Sequence, residues 1–494
     1  MNRRFLWAVM AVLGLDGCTL GPDFQVPVAK LGSQWPIAQS PAGHSRPLAV
    51  ALETRWWDSF ADPQLSALVR QVQASNLDLQ LAASRLEQSR AVRLSIAADT
   101  LPAVAASTDY SRARNSQNGL ADPSNLNGKS AYNLWNAGLA VSWEADLWGR
   151  VKRSVEAADA NVQVAEEDRR GVLIAVMAET ARDYIQLRAA QSEQVVTRQN
   201  LEIARHTQAL IVLQRDEGVA TELEVSQAMA QVATIEAQLP SLQQREAQLI
   251  NALSRLMDLE PRALEARLSG AGSIPAPPAE VPVGLPSELA RRRPDIRRAE
   301  ADLHAATAAI GMAQADFYPR ITLSGSLGFQ ALQLSNLGSW GSRAFAVGPS
   351  LSVPLFEGGR LQGQLQLREN RQQEAALRFQ KTVLDAWHEV DDAMTAYQAG
   401  QRRRDSLRQA VEQSRRALVS VRQQYAQGTV DFLNVLTVQG ALLANEEALV
   451  DSTAAVSLSL VGLYSALGGG WQQALPEQAQ RQVIRAARYR RPGC

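Results

Sequence analysis

The chain repeats itself once, about two hundred residues apart, and this duplication limits what it can fold into more than any other feature. Gly149-Arg150 recurs as Gly359-Arg360, and Arg215-Asp216-Glu217-Gly218 is answered by Tyr425-Ala426-Gln427-Gly428, in both cases 210 residues on. Earlier in each half the offset is 217, with Leu101-Pro102-Ala103 answered by Tyr318-Pro319-Arg320. The difference falls in a Gly/Asn/Ser-rich stretch, where insertions belong on a surface loop. A unit this large, used twice, points to a chain that forms part of a symmetric ring or tube.

Each half holds two segments that alternate with period two. In Ala137–Leu147, Ala137, Leu139, Val141, Trp143, Ala145 and Leu147 alternate with Gly138, Ala140, Ser142, Glu144 and Asp146. Ile321–Phe329 and Phe345–Leu355 show the same pattern, and Val104–Tyr110 a weaker one. These are strands with one apolar and one small or polar face. Their lengths match the roughly 9–11 residues that a tilted strand needs to cross a bilayer. A sheet in lipid must close, and closure takes about eight strands at minimum. Four per chain therefore require several copies around one barrel. The hairpin tips, Ser116–Ala131 and Ala331–Ala344, suit outward loops.

After each second strand comes a helical stretch without proline, Val151 to about Asp216 and Leu361 to about Ala426. At 1.5 Å per residue each spans roughly 100 Å, far more than a bilayer needs. Each ends in a glycine turn and returns through Leu223–Leu256 or Phe432–Leu467. Helical spacing also marks Leu65 to about Asp99, interrupted at Asn76 into two helices. The charge run Glu166, Glu167, Asp168, Arg169, Arg170 reads as a solvated face, and so does Asp391-Asp392.

Fifty basic and fifty acidic residues cancel, which offers nothing to a nucleic acid. The four histidines are scattered and no C-x-x-C spacing exists, so neither a metal site nor any other cofactor is expected. No Ser/His/Asp set or phosphate loop marks an enzyme. At the N-terminus, Arg3-Arg4 precedes an apolar run from Phe5 to Leu15 that ends at Asp16-Gly17-Cys18. This run is too short to span a bilayer and fits a signal-peptide core. Two readings stay open: a plain secretory signal, or a lipoprotein signal cut before Cys18, whose thiol then carries the lipid. The second partitions the chain into a signal at 1–17 and an extended segment at 18–62. The first repeat follows at 63–272, a Pro-rich linker at 273–286, the second repeat at 287–470 and an Arg-rich tail at 471–494.

Arg55-Trp56-Trp57-Asp58-Ser59-Phe60, Gly284-Leu285-Pro286-Ser287-Glu288-Leu289 and Arg291-Arg292-Arg293-Pro294-Asp295-Ile296-Arg297-Arg298-Ala299-Glu300 resemble the bacterial outer membrane factors. The similarity is to their OprM-like and NodT-like lipoprotein branch, with TolC more distant. Cys18 followed by Gly21-Pro22-Asp23-Phe24 fits that branch. The resemblance implies an α+β membrane protein: a homotrimer whose chains give four strands each to one twelve-stranded barrel, continued by a helical coiled-coil barrel in the periplasm. It implies the exit duct of a tripartite efflux pump or of type I protein secretion. The partners it implies are a periplasmic adaptor and an inner membrane transporter, for efflux of the RND type. The turns at Gly218, Thr221 and Gly428 match the family's adaptor-docking tips, with a purely structural turn as the lesser alternative for the glycines. Leu433 matches a leucine facing the closed aperture. Where relatives carry an aspartate and an arginine, this chain has Thr437 and Gly440, and Asp431 is the nearest carboxylate.

The lipoprotein reading makes a direct prediction. Wild type should incorporate labelled fatty acid, and Cys18→Ser should incorporate none. Label on the variant, or none on wild type, removes the anchor.

Overall fold

The computed structural model describes residues 19–28, 46–48, 54–116, 130–270, 272–284 and 288–472. Cys18, the signal segment and the tail from 473 onward lie outside them. In chain order the main elements are β1 (Arg46–Leu48), α1 (Pro63–Ser75), α2 (Leu77–Ala97), β2 (Ala103–Ala113), β3 (Tyr132–Ala145), α3 (Arg150–Asp216), α4 (Glu222–Glu236) and α5 (Gln238–Leu256). There follow β4 (Glu280–Pro282), α6 (Pro294–Ala315), β5 (Arg320–Ala331), β6 (Arg343–Ser352), α7 (Arg360–Ala426) and α8 (Phe432–Ala466). The duplication is now explicit, since α3 and α7 each run 67 residues.

Chain contacts define two compact units. The first comprises Met1–Pro27, Arg85–Ala165 and Arg298–Phe379; the second comprises Val28–Ser84, Glu166–Arg297 and Gln380–Cys494. The first unit holds an antiparallel sheet in the order β2-β3-β5-β6. Its register aligns the alternation across strands: Val104 lies opposite Val141, Leu139 opposite Leu327, Trp143 opposite Leu323, and Leu327 opposite Phe345. One face is thus a continuous apolar band, and no described residue covers it: Phe345 and Val347 are 75% and 78% exposed. The other face carries Ser142, Glu144, Thr322, Ser324 and Ser350. β3 starts five residues before its expected beginning, and β6 stops at Ser352, ahead of Pro354, which has no N–H to donate. The corner between β3 and α3 is fastened. Arg150 makes two hydrogen bonds of 2.9 Å to the Glu144 carboxylate, and the Trp148 indole donates to the Pro319 carbonyl at 2.8 Å.

The second unit is helical. α1 begins at Asp62, whose carboxylate caps it by accepting from the Gln64 and Leu65 amides at 2.8 and 3.0 Å. Asn76 separates α1 from α2, as its spacing implied, and its amide donates to the Leu256 carbonyl at 2.8 Å. The return helix expected over Leu223–Leu256 is two helices, α4 and α5, meeting at Ala237. β1 pairs in parallel with β4, so the Pro-rich linker closes back on the N-terminal segment. Trp56, Trp57 and Phe60 are buried, and Trp56 stacks on Tyr464 at 5.3 Å.

The arginine motif is a structural hub. Arg293 reaches Asp295 at 2.6 Å, Glu389 of α7 at 2.7 Å and the Ala466 carbonyl at the end of α8 at 2.7 Å. The run Glu166–Arg170 is corrected here: it is not a solvated face. Glu167 and Arg169 are buried, Glu167 pairs with Arg170 at 2.6 Å and with Arg297 at 2.8 Å, and Arg170 lies 4.4 Å over the Trp471 ring. Burial pushes the Glu167 carboxyl up, against the opposing pull of Arg170 and Arg297. Asp391 is likewise not fully solvated, since its Oδ1 is buried.

Gly138 and Gly328 face each other across β3 and β5. A Cβ on Gly328 would stand 2.5 Å from the Ala137 carbonyl oxygen and 2.8 Å from Gly138 Cα. Gly328→Val should therefore break the β3–β5 ladder. The expected outcome is loss of the heat-resistant folded band on cold SDS gels, whereas Gly341→Val, which meets open space, should keep it.

Candidate pore constriction and helix tips

The two hairpin ends lie in the second unit, where four helices finish around one apolar cluster. Ile211 of α3, Val225 and Ala228 of α4, Val411, Leu418 and Val421 of α7, and Phe432, Val435 and Leu442 of α8 are buried together. Tyr425 tilts against Phe432 at 5.6 Å, and its hydroxyl donates to Gln214 Oε1 at 3.2 Å, tying one hairpin to the other. Burial, with Glu224 nearby, raises the Tyr425 pKa.

Each turn is closed by a left-handed glycine. Gly218 has φ +75° and Gly428 +72°, a region that glycine enters without steric cost. The Val219 amide donates to the Gln214 carbonyl at 2.8 Å, and Thr429 repeats this onto Gln424 at 3.0 Å, so the last carbonyls of α3 and α7 are satisfied. The next helices start differently. Thr221 forms a capping box: its hydroxyl accepts from the Glu224 amide, and Glu224 accepts from the Thr221 amide at 2.7 Å. Asp431 occupies the same place before α8 and makes no side-chain cap.

Beyond Asp431, α8 presents two faces. Phe432, Val435 and Gln439 turn into the cluster, while Leu433 is 60% exposed and Thr437, one turn on, is exposed as well. The Thr437 hydroxyl donates to the Leu433 carbonyl at 2.8 Å, so it belongs to its own helix. A Cβ at Gly440 would meet nothing within 4 Å. The structure therefore brings Leu433, Thr437 and Gly440 onto one open stripe and puts Asp431 at its end.

Two features of the tips escaped the sequence reading. Leu223 is 66% exposed, and it is the repeat-mate of Leu433; the 210-residue offset is the signal that finds it. Gln439 is buried in the apolar cluster, and neither polar atom of its carboxamide has a partner. Further along, Glu446 of α8 accepts from Arg415 of α7 at 2.7 Å and Asn200 of α3 at 2.8 Å, linking three helices. Glu193 on α3 is buried, with Arg245 at 3.4 Å; burial, offset in part by Arg245 and reinforced by Asp451 and Glu447, raises its pKa. Among the described residues no group of three or more His, Cys, Asp or Glu could hold a metal.

A sheet with an uncovered apolar face, followed by helices about 100 Å long that double back at tight tips, defines the class of outer membrane export ducts. The model of the family described as Outer membrane efflux protein matches residues 68–258 and 285–469. The chain belongs to that family, whose members are non-enzymatic channels of efflux pumps in the outer membrane. It is similar to the toluene efflux pump outer membrane protein TtgI of Pseudomonas putida, 32% identical over 471 residues, covering 94% of this chain and 97% of that protein. It is 30% identical over 483 residues to the probable outer membrane lipoprotein SilC of Salmonella typhimurium, covering 95% and 100%. Among solved structures it resembles the outer-membrane channel OprN, with TM-score 0.86 at 34% identity over 92% of this chain and 100% of that one.

The unpaired Gln439 carboxamide costs about 1–3 kcal/mol where it stands. Gln439→Leu should raise the thermal midpoint of the purified protein, and Val435→Ala, which opens the same cluster, should lower it. A lower midpoint for Gln439→Leu would show that the amide is satisfied in the assembled protein.

Proposed function

We propose that three copies of this chain close a twelve-stranded barrel and form a lipid-anchored duct that discharges toxic small molecules from a tripartite pump. The observation that carries this reading is the pair of open edges, β2 and β6, on a four-stranded sheet with an uncovered apolar face. Backbone groups on those edges need partners in lipid, and the nearest available are the edges of further copies. The helices support it too. α8 contains an 18-residue window of mean hydropathy 1.3, of which the chain itself buries only 44%. Leu94 and Leu377 of the first unit are likewise exposed.

The anchor is Cys18. Thr19, Leu20 and Asp23 run along the start of α3: the Leu20 amide donates to the Trp148 carbonyl at 3.1 Å, and Arg153 binds Asp23 at 2.8 Å. That places the first residue after Cys18 beside the corner where the sheet ends, which is where a lipid on Cys18 would enter the inner leaflet. SilC, by its name a lipoprotein, is consistent with this. TtgI, by its name, serves toluene efflux, a precedent for apolar small molecules as cargo. The cargo is handed over by a periplasmic adaptor and an RND-type inner membrane transporter. The adaptor docks on the turns at Gly218, Thr221 and Gly428.

Leu433 then rings the closed aperture in three copies, with Thr437 behind it and no charged latch. Leu433→Ala should raise single-channel conductance in planar bilayers, and Thr437→Ala should leave it unchanged. The reverse result moves the constriction one turn along α8. Light scattering in detergent should give three chains per particle; a stable folded monomer ends the barrel reading.

A further inference from the structure

The apolar face of the sheet is not featureless. Across the middle of β2 and β3, the later part of β5 and the start of β6 it is hollowed into a groove of about 690 Å³, within the roughly 300–1,000 Å³ typical of ligand clefts. Leu139, Leu327 and Phe329 form its walls, and the small side chains of Ala106 and Ala137 make its floor. These residues share the lipid-facing row set by the strand register. Trp340 and Arg343 close one end. All of these residues belong to the first unit.

That end is built. The connection from β5 to β6 carries two 3-10 turns, Leu334–Asn336 and Trp340–Ser342. They are laced together by the Ser342 hydroxyl, which donates to the Asn336 carbonyl at 2.7 Å. This fixes the turn that presents Trp340. Arg343 then lies 3.6 Å over the Trp340 ring, a cation–π stack that uses the flat face of the guanidinium and leaves its N–H edges for acceptors. Among the described residues the recorded partner of Arg343 is that ring and not a carboxylate. The same connection also exposes Leu332 and Leu334.

An apolar trough that opens onto lipid and ends in an arginine with free donors matches one kind of molecule. We propose that this groove binds a phosphorylated lipid of the outer leaflet, with an acyl chain along Leu139, Leu327 and Phe329 and a headgroup phosphate on Arg343. Continuity with the lipid-facing band selects a lipid over a protein segment. The charge selects a phosphate-bearing headgroup, because a planar guanidinium meets phosphate oxygens in a bidentate pair. Bulk lipid can wet the rest of the band, but here a concavity is joined to an oriented cation. The site lies within one chain and rests only on membrane location, so it stands or falls apart from the trimer and from the Leu433 ring.

Native mass spectrometry of the full-length protein, purified from outer membranes in mild detergent and then delipidated, tests this with lipid A as the probe. Wild type should retain lipid A through a detergent wash. Arg343→Glu should retain about tenfold less, the scale of one lost charge-assisted contact, and Arg343→Lys should retain more than Arg343→Glu. Wild type should bind lipid A with both phosphates better than dephosphorylated lipid A, which makes the test independent of how the variants fold. Equal binding of the two lipids, or equal retention by Arg343→Glu, overturns the proposal. So does competition by inorganic phosphate alone, which would mark a bare anion site.

Discussion

The sheet is governed by the requirement that backbone hydrogen bonds be satisfied where there is no water. The sheet satisfies its inner ladders in an unbroken register, β2 to β3, β3 to β5 and β5 to β6. Its two outer edges stay open, and its apolar band is uncovered. A soluble protein with such edges would aggregate; in a bilayer the same edges specify assembly. The Gly138–Gly328 pair shows how closely the ladder is drawn, because neither position has room for a side chain on that face. The sheet is thus drawn tight within one chain while its edges remain available for pairing.

The helices meet a different constraint. A hairpin whose first helix runs 67 residues cannot be held by its tip alone. Charged groups brought into the packing supply the fixed points: Arg293 between α6, α7 and α8, Glu167 between Arg170 and Arg297, and Glu446 between Arg415 and Asn200. Buried ion pairs are weak evidence for net stability, but removing one partner strands the other. Their geometry is directional, which fixes the register of long helices that apolar contacts alone would let slide.

Much of this was legible in the sequence, and what was not has a physical cause. The period-two rows announced the strands, the absence of proline announced α3 and α7, and Asn76 marked its break. These are local signals, carried by the residues that respond to them. The charge run at Glu166–Arg170 was misread because its partners, Arg297 and Trp471, lie far along the chain; local polarity cannot reveal a distant cation or ring. The arginine motif could be matched to a family by resemblance, but its work at Glu389 and Ala466 is visible only once α6, α7 and α8 are packed. At the tips the glycine turns are local signals that the sequence carries, whereas Gln439 was hidden because a lone glutamine on a helix ordinarily faces water. The break at Ala237 carries no glycine, and the one nearby signal is Pro240, whose ring can sit in the first turn of α5.

The two repeats are equal in length but not in how their tips are held. Thr221 engages two otherwise unpaired amide and side-chain groups through its capping box, and replacing such a cap by alanine typically costs about 1 kcal/mol. Asp431, 210 residues later, has the right chemistry for the same job but is not engaged. Its helix start relies on backbone bonds and on Phe432 in the cluster. Gln439, two turns along the same helix, adds an unsatisfied amide. Both departures fall on α8 within two turns of its start; on the first hairpin's return the start is capped, and an unpaired buried atom, Gln238 Oε1, occurs only further along, at the start of α5. Duplication supplied two interchangeable hairpins; the local chemistry has made the second one, which carries Leu433, the less firmly closed.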